Sequence, residues 1–124
     1  MFEIGVSARF EAAHRLIGDF GPATRMHGHT YRIEVAIRGP RLQPDGTLID
    51  ITRLQAALDA IVNDLHYRDL ADVPGLEQIN TTAENLAHYC WQRLAQALQG
   101  SPIVTLTVRI WENPDAYAAY EDQL

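Results

Sequence analysis

The chain has 124 residues, a formal net charge of −6 and 47% apolar residues, the balance of one globular domain with a modest core. No basic cluster is present, which argues against a nucleic-acid partner, and no stretch is long or apolar enough for a membrane span. The single cysteine, Cys90, cannot form an internal disulfide; no basic segment precedes an apolar run at Met1-Phe2-Glu3-Ile4, so a cytoplasmic location is expected.

Taken in order, residues 2 to 14 alternate Phe2, Ile4, Val6, Ala8 and Phe10 with Glu3, Gly5, Ser7 and Arg9, the pattern of a strand. Residues 18 to 25 contain Gly-Asp-Phe-Gly-Pro and read as a loop. A second strand follows to about Arg38, ended by Gly39-Pro40. Pairing these two strands antiparallel brings His14 near His27 and His29. On a strand, residues two apart share a face, so His27 and His29 point the same way, with Gly28 between them leaving room for close approach. Two such imidazoles with a third from the neighbouring strand suit a metal, and three histidines with an open fourth position are the pattern of catalytic zinc. His-x-His pairs also occur as plain surface or core histidines, so the pair alone is weak.

Pro44-Asp45-Gly46 predicts a turn, and residues 47 to 49 a short extended piece. The first helix starts after Asp50, with Leu54, Ala57, Leu58, Ile61, Val62 and Leu65 forming one apolar stripe. Asp50 or Thr52 can cap it, and Thr52 with Gln55 has capping-box spacing. Pro74-Gly75 breaks the chain. Thr81-Thr82-Ala83-Glu84 reads as a second capping box, opening a helix whose stripe is Ala83, Leu86, Ala87, Cys90, Leu94, Ala97 and Leu98. Cys90 therefore faces the packing side and His88 lies off the stripe; Trp91 reads as core edge or subunit interface. After Gly100-Ser101-Pro102, residues 103 to 111 alternate as a strand with Leu106, Val108 and Ile110 inward. A turn at Asn113-Pro114-Asp115 and a last strand over 116 to 121 complete the chain. The order of two strands, two helices and two strands implies an α+β fold, a four-stranded antiparallel sheet with both helices on one face.

Several stretches in this order resemble the 6-pyruvoyl-tetrahydropterin synthase and 6-carboxytetrahydropterin synthase family: Phe10-Glu11-Ala12-Ala13-His14-Arg15-Leu16, His27-Gly28-His29-Thr30-Tyr31, Leu48-Ile49-Asp50, Pro74-Gly75-Leu76-Glu77, Thr81-Thr82-Ala83-Glu84-Asn85-Leu86 and Trp111-Glu112. The resemblance implies the family's T-fold, sheets assembled into trimeric barrels that stack as hexamers, and a Zn²⁺ held by His14, His27 and His29. It implies a pterin-like substrate, with Glu112 anchoring the guanidine-like edge and Thr81 and Thr82 adding contacts. Arg25, beside the His-Gly-His triplet, joins them as a substrate-binding candidate.

The family's proton-transfer groups do not carry over. Its Cys, four residues before the first His of His-Gly-His, is here Ala23, and its Leu-Asp-His falls on Leu65-His66-Tyr67, or with a one-residue slip keeps His66 as the catalytic His. Tyr67, His66 and Asp69 are the acid and base candidates left at that position. Two functions therefore compete. One is a zinc-dependent lyase acting on a dihydropterin with altered acid–base residues. The other is a repurposed zinc enzyme catalysing a cyclisation, aldol or retro-aldol step on another carbonyl compound. A non-catalytic pterin- or metal-binding protein is a third.

Overall fold

A computed structural model describes residues 1–124. Strand β1 spans Phe2–His14 and β2 spans His27–Gly39. They pair antiparallel over their whole length, with Phe10 opposite Tyr31, Ala12 opposite His29 and His14 opposite His27. Helix α1 covers Ile51–Leu65, the two-residue β3 covers Arg68–Asp69, and α2 covers Ala83–Ala97. Strands β4, Thr105–Asn113, and β5, Ala116–Gln123, form the closing hairpin.

The expected strands and helices form, but the sheet has five strands in the order β3-β1-β2-β4-β5, not four, and β3 runs parallel to β1. The addition arises at the end of α1. Tyr67 takes a left-handed backbone, φ 57°, and donates its N–H to the Glu11 carbonyl at 2.6 Å. This turns the chain onto the free edge of β1, where Arg68 and Asp69 pair with Ala12 and Ala13.

One face of the sheet carries Phe10, Tyr31, Ile33, Val35, Ile37, Leu106, Val108 and Ile110, all buried. Alternation puts these residues in register, Ile33 facing Ile110 and Val35 facing Val108. Leu54, Leu58, Ile61 and Leu65 of α1 and Leu86, Ala87, Cys90 and Leu94 of α2 join them in one core cluster. At ~25 cal/mol per Å² of apolar area, this burial is the main force fixing the helices on that face.

The caps differ in detail from the expected boxes. Asp50 accepts from Thr52 N–H at 3.0 Å and caps α1; its carboxylate also takes the Thr52 hydroxyl at 2.7 Å, so the Thr52–Gln55 pair is not used. Thr82 caps α2 by accepting from Asn85 N–H at 3.2 Å, which frees Thr81 from that task. Residues 47 to 49 are not a strand: Thr47 closes a turn on Gln43, and Leu48 and Ile49 drop into the core. The loop after β1 holds one short 3-10 turn, Gly21–Thr24.

Candidate metal centre

The β1–β2 register sets His14 and His27 opposite each other at the sheet's end, with His29 one pleat in on the same face. The three rings lie edge to face, with centroids 4.5 to 5.1 Å apart. One ring nitrogen from each can be chosen so that all three lie within 4.8 Å of one another. Gly28 is not sterically demanded, since a Cβ there would meet only the Ala12 carbonyl at 3.7 Å, an ordinary contact.

Main-chain carbonyls orient two of the rings. His14 Nδ1 is 2.8 Å from the Thr81 carbonyl and 3.2 Å from the Thr81 hydroxyl; His27 Nδ1 is 2.7 Å from the Arg25 carbonyl. Each Nδ1–H donates to its carbonyl, which leaves Nε2 as the bare lone pair. Burial holds the His14 and His29 imidazoles below their ordinary pKa, keeping them neutral; the neighbouring Glu112 charge pulls the other way at both. Buried Tyr31 places its hydroxyl 3.3 Å from His14 Nε2, and burial raises that phenol's pKa. Three convergent imidazoles, two of them with Nδ1 tied to a main-chain carbonyl, are a donor set that fits zinc.

The other candidate residues divide into two groups. Thr81, Arg25 and Glu112 surround the histidines, the first two through their carbonyls, while Thr82 serves the α2 cap. His66, Tyr67 and Asp69 lie at the β1 edge and make no hydrogen bond to the histidines. His66 Nδ1 accepts the Glu11 N–H at 3.0 Å, and its ring packs on that of Tyr67, centroids 3.9 Å apart. Asp69 caps the next turn by accepting from Ala71 N–H at 3.0 Å. A cavity of about 570 Å³ is lined by Tyr67 and Asp69 together with Glu11, Gly28, His29 and Thr30; neither His14 nor His27 is among its walls.

Comparison with known proteins decides the lineage. The family model described as 6-pyruvoyl tetrahydropterin synthase matches residues 3–123, nearly the whole chain. The chain belongs to this family. It is 30% identical to a Dictyostelium discoideum 6-pyruvoyl tetrahydrobiopterin synthase, an alignment covering 92% of this chain and 91% of that protein. It is 33% identical to a putative 6-carboxy-5,6,7,8-tetrahydropterin synthase of Pyrococcus horikoshii, over 88% and 83% of the two chains. The solved Caenorhabditis elegans 6-pyruvoyl tetrahydropterin synthase superposes with a TM-score of 0.85 at 26% identity, covering 98% of this chain and 95% of that one.

Sequence reading missed three members of this neighbourhood. Tyr31 was legible in principle, being two residues from His29 on the same face. Glu11, on the cavity wall, accepts the Thr30 hydroxyl at 3.2 Å but looked like one more solvated strand residue. Asn80 binds the Ile17 main chain at both N–H and carbonyl, at 2.8 and 3.0 Å; nothing in its local sequence announces a partner 63 residues away.

Proposed function

We propose that this family member is a zinc-dependent lyase acting on a pterin-like substrate, with altered acid–base residues. The observation that carries this reading is the set of three convergent histidines, two of them oriented by the Thr81 and Arg25 carbonyls. His14, His27 and His29 would hold the metal. Zinc bound there would supply a Lewis acid for a substrate carbonyl or hydroxyl oxygen. The Glu112 carboxylate accepts two N–H donors from the guanidine-like edge of the ring, a charge-assisted pairing. Tyr31, kept protonated by burial, holds a hydroxyl proton beside His14.

Proton transfer falls to the groups around the cavity. Tyr67 and Asp69 line it with Glu11 and Thr30. In neutral His66 the Glu11 N–H occupies Nδ1, so the ring carries its proton on Nε2 and serves as a donor. No thiol takes part: Ala23 stands where the family has its Cys, and burial pushes the Cys90 thiol up to about 12. The outer edge of β1 ahead of the two residues paired with β3, and the outer edge of β5, are where further strands would add, in keeping with a trimeric or hexameric assembly.

Ala23 and the Leu65-His66-Tyr67 tripeptide favour a second reading, in which the same centre works on a non-pterin carbonyl compound. Glu112 discriminates between them. Under the pterin reading, Glu112→Gln weakens neopterin binding by roughly tenfold or more and leaves zinc content unchanged. Equal neopterin affinity in the variant would remove the pterin reading and leave the other.

A further inference from the structure

The helix-free face of the sheet carries a cluster that the metal centre does not use. Arg9 of β1 stands directly opposite Arg32 of β2, and Arg32 directly opposite Trp111 of β4. Like charges set opposite each other across antiparallel strands repel. Arg32 is partly compensated by Glu34, 3.3 Å from its Nη1, whereas Arg9 makes no ion pair or hydrogen bond in the chain. The two arginines and Trp111 line a cavity of about 300 Å³ with Thr30, Asn113 and Pro114, and no carboxylate is among its walls. In a chain of net charge −6, this is a local positive spot. Glu11, two residues from Arg9 on the same face, is engaged by the Thr30 hydroxyl. The Trp111 indole Nε1–H is closed off from solvent and has no acceptor. Buried donors of this kind are rare, and each calls for a partner.

Unbalanced guanidinium charge and an unanswered N–H lack the same thing, a ligand rich in negatively charged oxygen. We propose that this cavity is an oxyanion site for a phosphate-bearing ligand, with Arg9 and Arg32 clamping the phosphate oxygens and Trp111 Nε1–H donating to the group as it seats. Guanidinium forks match phosphate geometry, and a doubly charged phosphate removes the repulsion between the two arginines. The site lies on the face opposite the three histidines, because Arg9 and Arg32 alternate with Phe10 and Tyr31 along their strands. It therefore stands apart from the zinc reading.

The test is calorimetric titration of the purified protein with two probes. Inorganic tripolyphosphate represents a free oligophosphate, and phenyl phosphate the phosphate end of an aromatic ligand. Saturable binding at submillimolar concentration is expected for at least one probe, and the tighter one identifies the source. Arg9→Gln should weaken it about tenfold or more, and Trp111→Phe, which keeps the ring and removes the donor, several-fold. His27→Ala should leave it unchanged. Arg9→Gln should also melt no lower than the parent protein, because it removes a like-charge pair. Absence of saturable binding by the parent protein overturns the proposal. So does equal affinity in an Arg9→Gln, Arg32→Gln double variant, or loss of binding in His27→Ala, which would place the anion at the histidines.

Discussion

Asn80→Ala tests how the loop before the His-Gly-His triplet is fastened. The Asn80 side chain accepts the Ile17 N–H at 2.8 Å and donates to the Ile17 carbonyl at 3.0 Å. The next residue, Thr81, offers its carbonyl to His14; the far end of the same loop, Arg25, offers its own to His27. A net hydrogen bond contributes ~0.5–1.5 kcal/mol, so the pair sets an upper limit of about 3 kcal/mol. Ile17 is 67% exposed and water can replace much of what is lost, which brings the expected change to about 1–1.5 kcal/mol, or roughly tenfold in local opening. Hydrogen exchange followed by mass spectrometry reads this directly. In Asn80→Ala, amides of the segment from 16 to 25 should exchange about tenfold faster, with those of α1 and β2 little affected. Asn80→Asp keeps the acceptor, loses the donor and should fall between. Zinc affinity should drop several-fold, because both Nδ1 anchors adjoin the released segment. Unchanged exchange at Ile17 in Asn80→Ala, or acceleration spread evenly through the core helices, would refute the reasoning.

Other outcomes follow from individual groups. Cys90 is fully buried with its pKa pushed up to about 12, so iodoacetamide should label it only as fast as the protein unfolds; rapid labelling of folded protein would contradict its core placement. His14 and His29 have native pKa values below 6.5, so below that pH the unfolded chain binds protons that the folded chain resists. Metal-free protein should therefore lose stability as pH falls from about 7.5 to about 5.5, a slope that His29→Gln makes shallower; a urea midpoint that stays level or rises would contradict this. Tyr67 is 76% exposed with φ 57°. Tyr67→Gly relieves a left-handed backbone at the cost of a freer unfolded chain, and thermal denaturation should show a net change under about 1 kcal/mol. A larger loss would assign Tyr67 a packing role in place of the proposed acid–base one.

The fold was readable wherever periodicity reported burial. Period-two alternation in residues 2 to 14 and 103 to 111, and the stripes Leu54–Leu65 and Ala83–Leu98, located four elements close to their observed bounds. Strand β3 was invisible because two residues carry no alternation, and its pairing depends on the positive φ of Tyr67, a conformation for which its side chain gives no signal. Of the two caps expected for α1, Asp50 is the one used, and α2 starts from Thr82 and not from the Thr81–Glu84 box, since Thr81, Thr82, Asp50 and Thr52 are all competent caps and only the backbone path selects among them. Within the histidine cluster, spacing put His27 and His29 on one face, and strand pairing brought in His14. Arg25 and Thr81 were legible as positions but not for what they touch, because each meets a histidine through its main chain, which has the same chemistry in every residue. The irregularity between Trp111 and Asn113 that accompanies Glu112 left no trace in the sequence either.

The most direct measurement is turnover of zinc-loaded protein with 7,8-dihydroneopterin triphosphate, with products separated by chromatography and identified by mass, beside a His27→Ala control. The account predicts conversion to a tetrahydropterin or loss of the substrate's side chain in the parent protein and none in the control. Parent protein that binds one zinc per chain and leaves the substrate intact would contradict the pterin lyase reading and turn the search toward other carbonyl substrates.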